Sequence, residues 1–295
     1  MNKQNNHAIQ LLAATVGFAA AMFPVRAADT NNAPATDASV TAPATGPSSA
    51  SSINSAPDAD PWQFNATPYM WFLQVNGRVK TRGHSADVSV PFHEIFNHLK
   101  GPPLMLNLEV RKNKFGFYTA PLYADLSTDA SEHKGPLTLD GNDNIKIWII
   151  ESGGFYQIAK LGEKHPLTVD AIAGVRYWNF DNSLTLNDPS GIINFHHSKT
   201  YDLWDPFIGL RVQKHLTDKL SVSLTGDYGG FAISSSTPND SWQAVGTLGY
   251  DFTRRFTFLA GYRALGLNTY NQTGKDDIKA NLILQGAIVG LEFRF

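Results

Sequence analysis

His93, Glu94 and His98 lie close enough together to suggest a zinc helix, with two imidazoles on the metal and the carboxylate as general base. That chemistry needs histidines four apart on one helical face. Here they are five apart, so an incidental amphipathic loop helix is the better reading. His196 and His197 form a second pair, but adjacent residues of an extended strand point to opposite faces, which favours a solvated loop pair over a metal site. The chain has no cysteine, which excludes thiol catalysis and cysteine-held metals and suits an exported protein without a disulfide framework. It contains neither a Gly-x-Ser-x-Gly elbow nor a phosphate-cradling glycine loop. No catalytic residue, metal or cofactor is therefore expected.

The residues with the most chemistry to offer are charges spaced along extended segments. Glu109, Arg111, Asp125, Glu151, Asp170 and Arg176 fall on the polar face of alternating segments, and so do Arg211, Asp227, Asp251, Arg263, Glu292 and Arg294. Arginines balanced by carboxylates, with few lysines, suit a confined interior, because a guanidinium stays charged and bridges two carboxylates with forked hydrogen bonds. Glycines share that face, and the spacing repeats in Gly174-x-Arg176, Gly209-x-Arg211 and Gly261-x-Arg263. A glycine weakens a strand unless space is scarce, and here it would leave room for a long side chain from across a narrow lumen.

The elements that must hold these charges alternate with period two. From Leu167 to Tyr177, the residues Leu167, Val169, Ala171, Ala173, Val175 and Tyr177 share one face, and Thr168, Asp170, Gly174 and Arg176 the other. Leu220, Val222, Leu224, Gly226 and Tyr228 repeat the division against Ser221, Ser223, Thr225, Asp227 and Gly229. Connections alternate between tight charged turns, such as Lys112-Asn113-Lys114 and Thr217-Asp218-Lys219, and longer irregular ones. Short periplasmic turns and extended outer loops are how outer-membrane barrels are built.

Strands are expected near 62–75, 104–112, 115–127, 144–158, 166–180, 203–215, 219–232, 241–252, 255–268 and 280–295. The fold class is all-β: a transmembrane antiparallel up-and-down β-barrel of about ten strands, with eight or twelve as alternatives. Residues 76–103 form its first outer loop, carrying a hairpin (Arg78–Arg82 with Asp87–Val90) and a short helix at Phe92–Leu99. If the hairpin joins the barrel, the count becomes twelve. A soluble barrel with the reverse sense is the competing fold. Aromatic residues near strand ends, among them Trp62, Tyr69, Trp71, Phe115, Tyr156, Trp178 and Trp204, favour a bilayer with its two interfaces.

Two segments precede the barrel. Residues 1–27 combine Lys3, an apolar run from Ile9 to Phe23 and the small residues around Val25-Arg26-Ala27, an export signal too short to span a membrane. Residues 28–60 are rich in Ala, Thr, Ser and Pro and read as a disordered tether, leaving 61–295 for the barrel. Taking Lys3 and Arg26 from the 24 basic residues leaves 22 against 26 acidic ones, which argues against a nucleic-acid partner.

The last strand, Ala287 to Phe295, has Leu291, Phe293 and Phe295 in alternation and ends on an aromatic residue. It resembles the C-terminal assembly signal of bacterial outer-membrane proteins, and that resemblance implies the barrel-insertion machinery as a partner. Ala173-Gly174-Val175-Arg176-Tyr177 is similar to strands of small barrels of the OmpA and OmpW kind. The opening Trp62 to Trp71, with Asn76-Gly77 and Phe92 to Leu99, resembles a group of uncharacterised proteobacterial outer-membrane proteins. That resemblance implies a Gram-negative outer membrane, with lipid and lipopolysaccharide around the barrel, and brings no activity.

The leading expectation is a non-enzymatic barrel with a structural or surface-interaction role and a largely charge-filled lumen. A narrow channel for a small solute of unknown identity is the alternative. A membrane-embedded hydrolase, similar to proteases of the omptin kind, is the second; it requires Asp181, Asp202, Asp205, His196 and His197 to converge at the outer rim.

Overall fold

The computed structural model describes residues 62–81, 84–134, 137–187, 194–233, 238–273 and 276–295. The expected export signal and tether, residues 1–60, lie outside the described residues.

Twelve strands form one antiparallel sheet: β1 (Gln63–Trp71), β2 (Gln74–Thr81), β3 (His84–Val90), β4 (Leu104–Lys112), β5 (Phe115–Lys134), β6 (Leu137–Leu161), β7 (Leu167–Asn187), β8 (Asn194–His215), β9 (Leu220–Gly229), β10 (Asp240–Thr253), β11 (Phe256–Thr273) and β12 (Asp276–Arg294). A short helix, α1 (Phe92–Asn97), follows β3. From β4 to β12 each strand pairs with the next, and β1 lies between β4 and β12, so ten strands close into a barrel. The hairpin β2–β3 joins the sheet but not the closed ring. β12 pairs with β1 over Ile288–Arg294 and with β2 over Ile278–Gln285, so β1 and β2 follow one another along the same edge. The amide of Phe295 donates to Phe64 O at 2.9 Å and fastens the C-terminus to the first strand.

Several strands run farther than expected. β5 and β6 continue as a paired hairpin to Lys134 and Leu137, and β7 and β8 to Asn187 and Asn194, where the sequence suggested irregular outer loops. The continuation works because the face that meets solvent changes partway along.

Below that change the outer face is apolar and exposed, as at Ile208 (60 %), Leu224 (59 %) and Leu248 (53 %), and the inner face is charged. Above it, the inner face carries Trp178, Phe180, Leu203, Leu265, Leu267, Leu282 and Leu284, all buried, and the outer face carries polar residues such as Lys146, Asn179, Asp202, Lys279 and Asn281. In β7, Ala173 and Val175 give way outside to Asn179 and Asp181, while Asp170 and Arg176 give way inside to Trp178 and Phe180.

Rings mark the two edges of the apolar belt. Phe115 packs on Tyr156 at 4.6 Å and, eight residues farther along both strands, Tyr123 packs on Trp148, also at 4.6 Å. Tyr177 and Trp204 continue the second girdle. That separation suits the ~9–11 residues a tilted strand uses to cross a bilayer. The tight turns lie beyond the first girdle, the periplasmic end by the rule for such barrels. The described barrel is therefore a membrane span below and a water-facing cup with an apolar interior above.

Placing a charge on the outer face should separate the two zones. Ile208→Arg, in the belt, should cost about 2–4 kcal/mol of folding stability into lipid vesicles, and Asn281→Arg, above it, close to nothing. Urea titrations of refolded protein measure both, and equal costs would contradict the boundary drawn here.

Candidate functional site

Antiparallel register decides which inward residues meet. Glu151, Arg176 and Asp205 are direct cross-strand partners on β6, β7 and β8, and Asp227 faces Gln243 across β9 and β10. The Arg176 guanidinium is fully buried and reaches three carboxylates: Nε donates to Glu151 at 3.1 Å, Nη1 to Asp205 at 2.8 Å and Nη2 to Asp227 at 3.0 Å. Gln243 donates to Glu151 at 3.2 Å and to Asp227 at 2.8 Å, and accepts from Arg263 Nε at 2.8 Å. Arg263 Nη2 also donates to Glu151, at 3.2 Å. This last bond crosses the lumen, because β6 and β11 stand five strands apart in either direction round the ring.

A second tier lies nearer the tight turns. Arg211 donates to both oxygens of Glu109, at 2.6 and 3.3 Å, and to Asp170 at 2.9 Å. Arg111 donates to Asp170 at 2.6 Å. Both guanidiniums lie over the Phe155 ring, at 4.5 Å for Arg111 and 4.4 Å for Arg211, and Arg176 lies 4.9 Å from Phe207. Such stacking uses the flat face of the guanidinium while its edge serves the carboxylates. A third group closes the lower end: Arg294 meets Glu292 at 2.6 Å and Asp251 at 3.2 Å, and Thr257 donates to Asp251.

The expected residues thus fall into three clusters, with one exception. Asp125 sits on β5 between Ala124 and Leu126, which line the interior, so alternation places it on the opposite face, and it makes no ion pair with the lumen arginines. Asp205, Ser241 and Gln243 belong to the upper cluster although the sequence did not single them out for it. For Asp205 the signal was present, since Arg211, Gly209, Phe207 and Asp205 share one face of β8. The glycines leave room for rings and backbone, not for arginines: a Cβ on Gly174 would stand 2.8 Å from the Phe207 ring, and one on Gly209 2.7 Å from the Asp227 Cβ.

The residues proposed for an outer-rim hydrolase do not converge. Asp205 is fully buried within the lumen, whereas Asp202, accepting from Tyr177 at 2.5 Å and from Asn179 at 2.8 Å, lies on the outer face of the same strand. Asp181 accepts from Thr200 on that outer face, and His196, exposed and 3.1 Å from Thr185 Oγ1, is nine residues up β8 from Asp205, ~30 Å of extended chain. The His197 side chain lies outside the described residues. His93 is paired with Glu94 at 3.4 Å on α1, while His98 turns to the Glu94 carbonyl at 2.6 Å. Among the described residues no group of three or more potential ligands is placed to hold a metal.

Removing Arg176 would strand Glu151, Asp205 and Asp227 together without their shared cation. Losing one partner of a buried ion pair typically costs ~3–5 kcal/mol. Arg176→Ala should therefore lower the urea midpoint of the refolded barrel sharply, and Arg176→Lys should recover only part of the loss, because an ammonium cannot fork to three carboxylates. A midpoint unchanged in Arg176→Ala would show that the cluster does not hold the barrel.

No family model and no curated protein sequence matches this chain. Solved structures with a similar chain course include the translocator domain of the autotransporter NalP from Neisseria meningitidis (12% identity, 79% of this chain and 88% of that one, TM-score 0.37). The attachment invasion locus protein Ail of Yersinia pestis, in complex with the heparin analogue sucrose octasulfate, shares 14% identity over 80% of this chain and 99% of its own (TM-score 0.29). The neisserial surface protein A shares 13% over 79% and 97% (TM-score 0.26). The location follows from the barrel itself: a closed ring of strands, an exposed apolar belt between two aromatic girdles and a charged interior fit one environment. The protein is a ten-stranded β-barrel of the bacterial outer membrane.

Proposed function

We propose that the protein is a non-enzymatic barrel with a closed passage and a structural or surface-interaction role, its lumen sealed at the level of the membrane by ion pairs. The observation that carries this is the Arg176 and Arg263 cluster on Glu151, which ties one wall of the ring to the opposite wall with none of the Arg176 side chain exposed. An open pore needs water-filled space along its axis, and in a ring of ten strands these side chains occupy it. Lipid surrounds the belt, and lipopolysaccharide is the expected neighbour at the outer girdle. Leu291, Phe293 and Phe295 face outward and exposed on the last strand, where the insertion machinery could read them as an added strand.

One observation favours the narrow channel as a second reading. A cavity of about 200 Å³ lies within the lumen, with Tyr69, Glu109, Glu151, Arg211, Gln243 and Arg263 among the residues that border it. Planar-bilayer recording of the refolded barrel decides between the two. A silent bilayer is expected from protein whose heat-modifiable migration confirms folding. Discrete conductance steps that change in Arg211→Ala would replace the closed reading with the channel.

A further inference from the structure

The cup above the membrane span has its own cavity, of about 160 Å³, distinct from the one below, whose lining includes charged side chains. Its floor is set by register: Ile149 and Trp178, which line it, are direct cross-strand partners two residues above Glu151 and Arg176. Its side wall is completed where β4 stops short of β5. There the hairpin β2–β3 brings in Val75, Val88 and Val90, and α1 brings Phe92, Ile95 and Phe96. The helix is fastened by Phe92 against Phe72, with ring centroids 5.0 Å apart, and by the Leu99–Leu126 bridge after it. Among the residues that line this cavity none is charged, and Asn182 is the one side chain with an amide.

Two of the lining side chains carry a polar group without a partner. The indole N–H groups of Trp71 and Trp178 make no hydrogen bond, although Trp71 is 2 % exposed and Trp178 fully buried. A buried donor left unpaired is costly, so a wall with two of them is poorly matched to a pure hydrocarbon filling. A lone water is a poor remedy, since it needs two to four polar partners and, beyond the two indoles, Asn182 is the one polar side chain on this wall.

We propose that the cup is a binding site for a small neutral amphiphile: a hydrocarbon body of about one ring or six carbons, carrying an acceptor oxygen that takes the indole N–H of Trp71 or Trp178. Size follows from volume, as an apolar cavity of ~150 Å³ holds a benzene-sized molecule. Neutrality follows from the floor. Directly beneath lie three carboxylates, Glu151, Asp205 and Asp227, against the guanidiniums of Arg176 and Arg263, both committed to them, so a carboxylate ligand would meet excess negative charge and no free cation. This site is independent of the closed-passage reading, since the cup can fill whether or not the plug beneath it conducts.

The test uses the full barrel in lipid nanodiscs with 5-fluorotryptophan at its six tryptophans, read by fluorine NMR during titration with 1-hexanol, n-hexane and hexanoate. The expected result is a saturable shift of the Trp71 and Trp178 resonances with 1-hexanol, while the lipid-side Trp148 and Trp204 drift linearly as the alcohol enters the bilayer. Hexane should bind about tenfold more weakly for want of the acceptor, and hexanoate more weakly than the alcohol. Ala124→Phe, which fills the cavity from β5, should abolish saturation while heat-modifiable migration is kept. If that variant does not fold, Trp178→Phe is the second probe and should bring the affinities of hexanol and hexane together. Linear shifts at all tryptophans, or saturation that survives filling the cavity, would overturn the site. Tighter binding of hexanoate would overturn the neutral ligand class.

Discussion

The fork of Arg176 onto Glu151, Asp205 and Asp227 sits where two solvents and two interiors meet. Outside the wall at this height, lipid gives way to water. Inside, charge gives way to hydrocarbon, because the next inward residues of the same three strands are Ile149, Trp178 and Leu203. Three carboxylates cannot be held apart from water without a shared cation, and a guanidinium with its donors in a plane can serve all three at once. Arg263 extends the arrangement in the other direction: it bonds Glu151 across the lumen while lying 4.8 Å from the ring of Trp71, a residue of the cup wall, so one side chain of the plug also supports the cup from below.

The inversion of faces explains why long strands persist above the membrane. A membrane barrel needs its apolar face outward, and one that ended at the outer girdle would leave its upper rim frayed. Here the alternation keeps its period of two but exchanges its sense, so the strands continue as a soluble-type barrel with an apolar interior of their own. The strand hydrogen bonding is unbroken across the change, as the register of β6 on β7 shows from Asp140 to Gln157. Stability above the membrane thus comes from burying Trp178, Phe180, Leu203 and Leu282 inward, and stability below it from lipid and ion pairs.

This division also marks what could be read from the sequence. Closure, antiparallel order and ten strands were legible, because a segment such as Leu167–Tyr177 alternates along its length with Ile172 as the sole exception. The identity of the inward charges was largely legible for the same reason. What was missed lies where the alternation changes sense. Past Tyr177 the sequence Trp178-Asn179-Phe180-Asp181 has apolar residues on the face that had been polar, and without the pairing partner this looks like the end of a strand. Asp205 was lost at the same boundary, because it shares a face with Leu203 on one side and Arg211 on the other. Asp125 failed for the converse reason: it lies on the face opposite Ala124 and Leu126, away from the lumen arginines, and its Oδ1 is buried without a hydrogen-bond partner.

The hairpin β2–β3 and α1 repair a mismatch that closure creates. β1 and β4 are each nine residues long, whereas β5 through β8 run to twenty or more, so a ring of uneven strands leaves a notch beside β5. β2 fills part of it by continuing the edge of β12, and β3 adds one more strand. Between β3 and β5 the described chain offers only a six-residue helix and a single bridge. Among the described residues the apolar cup is walled by paired strands except where this short helix stands, and there the backbone pairing is sparsest. The ring itself closes through β1 and β4 without α1, so the helix completes the cup wall and takes no part in barrel closure.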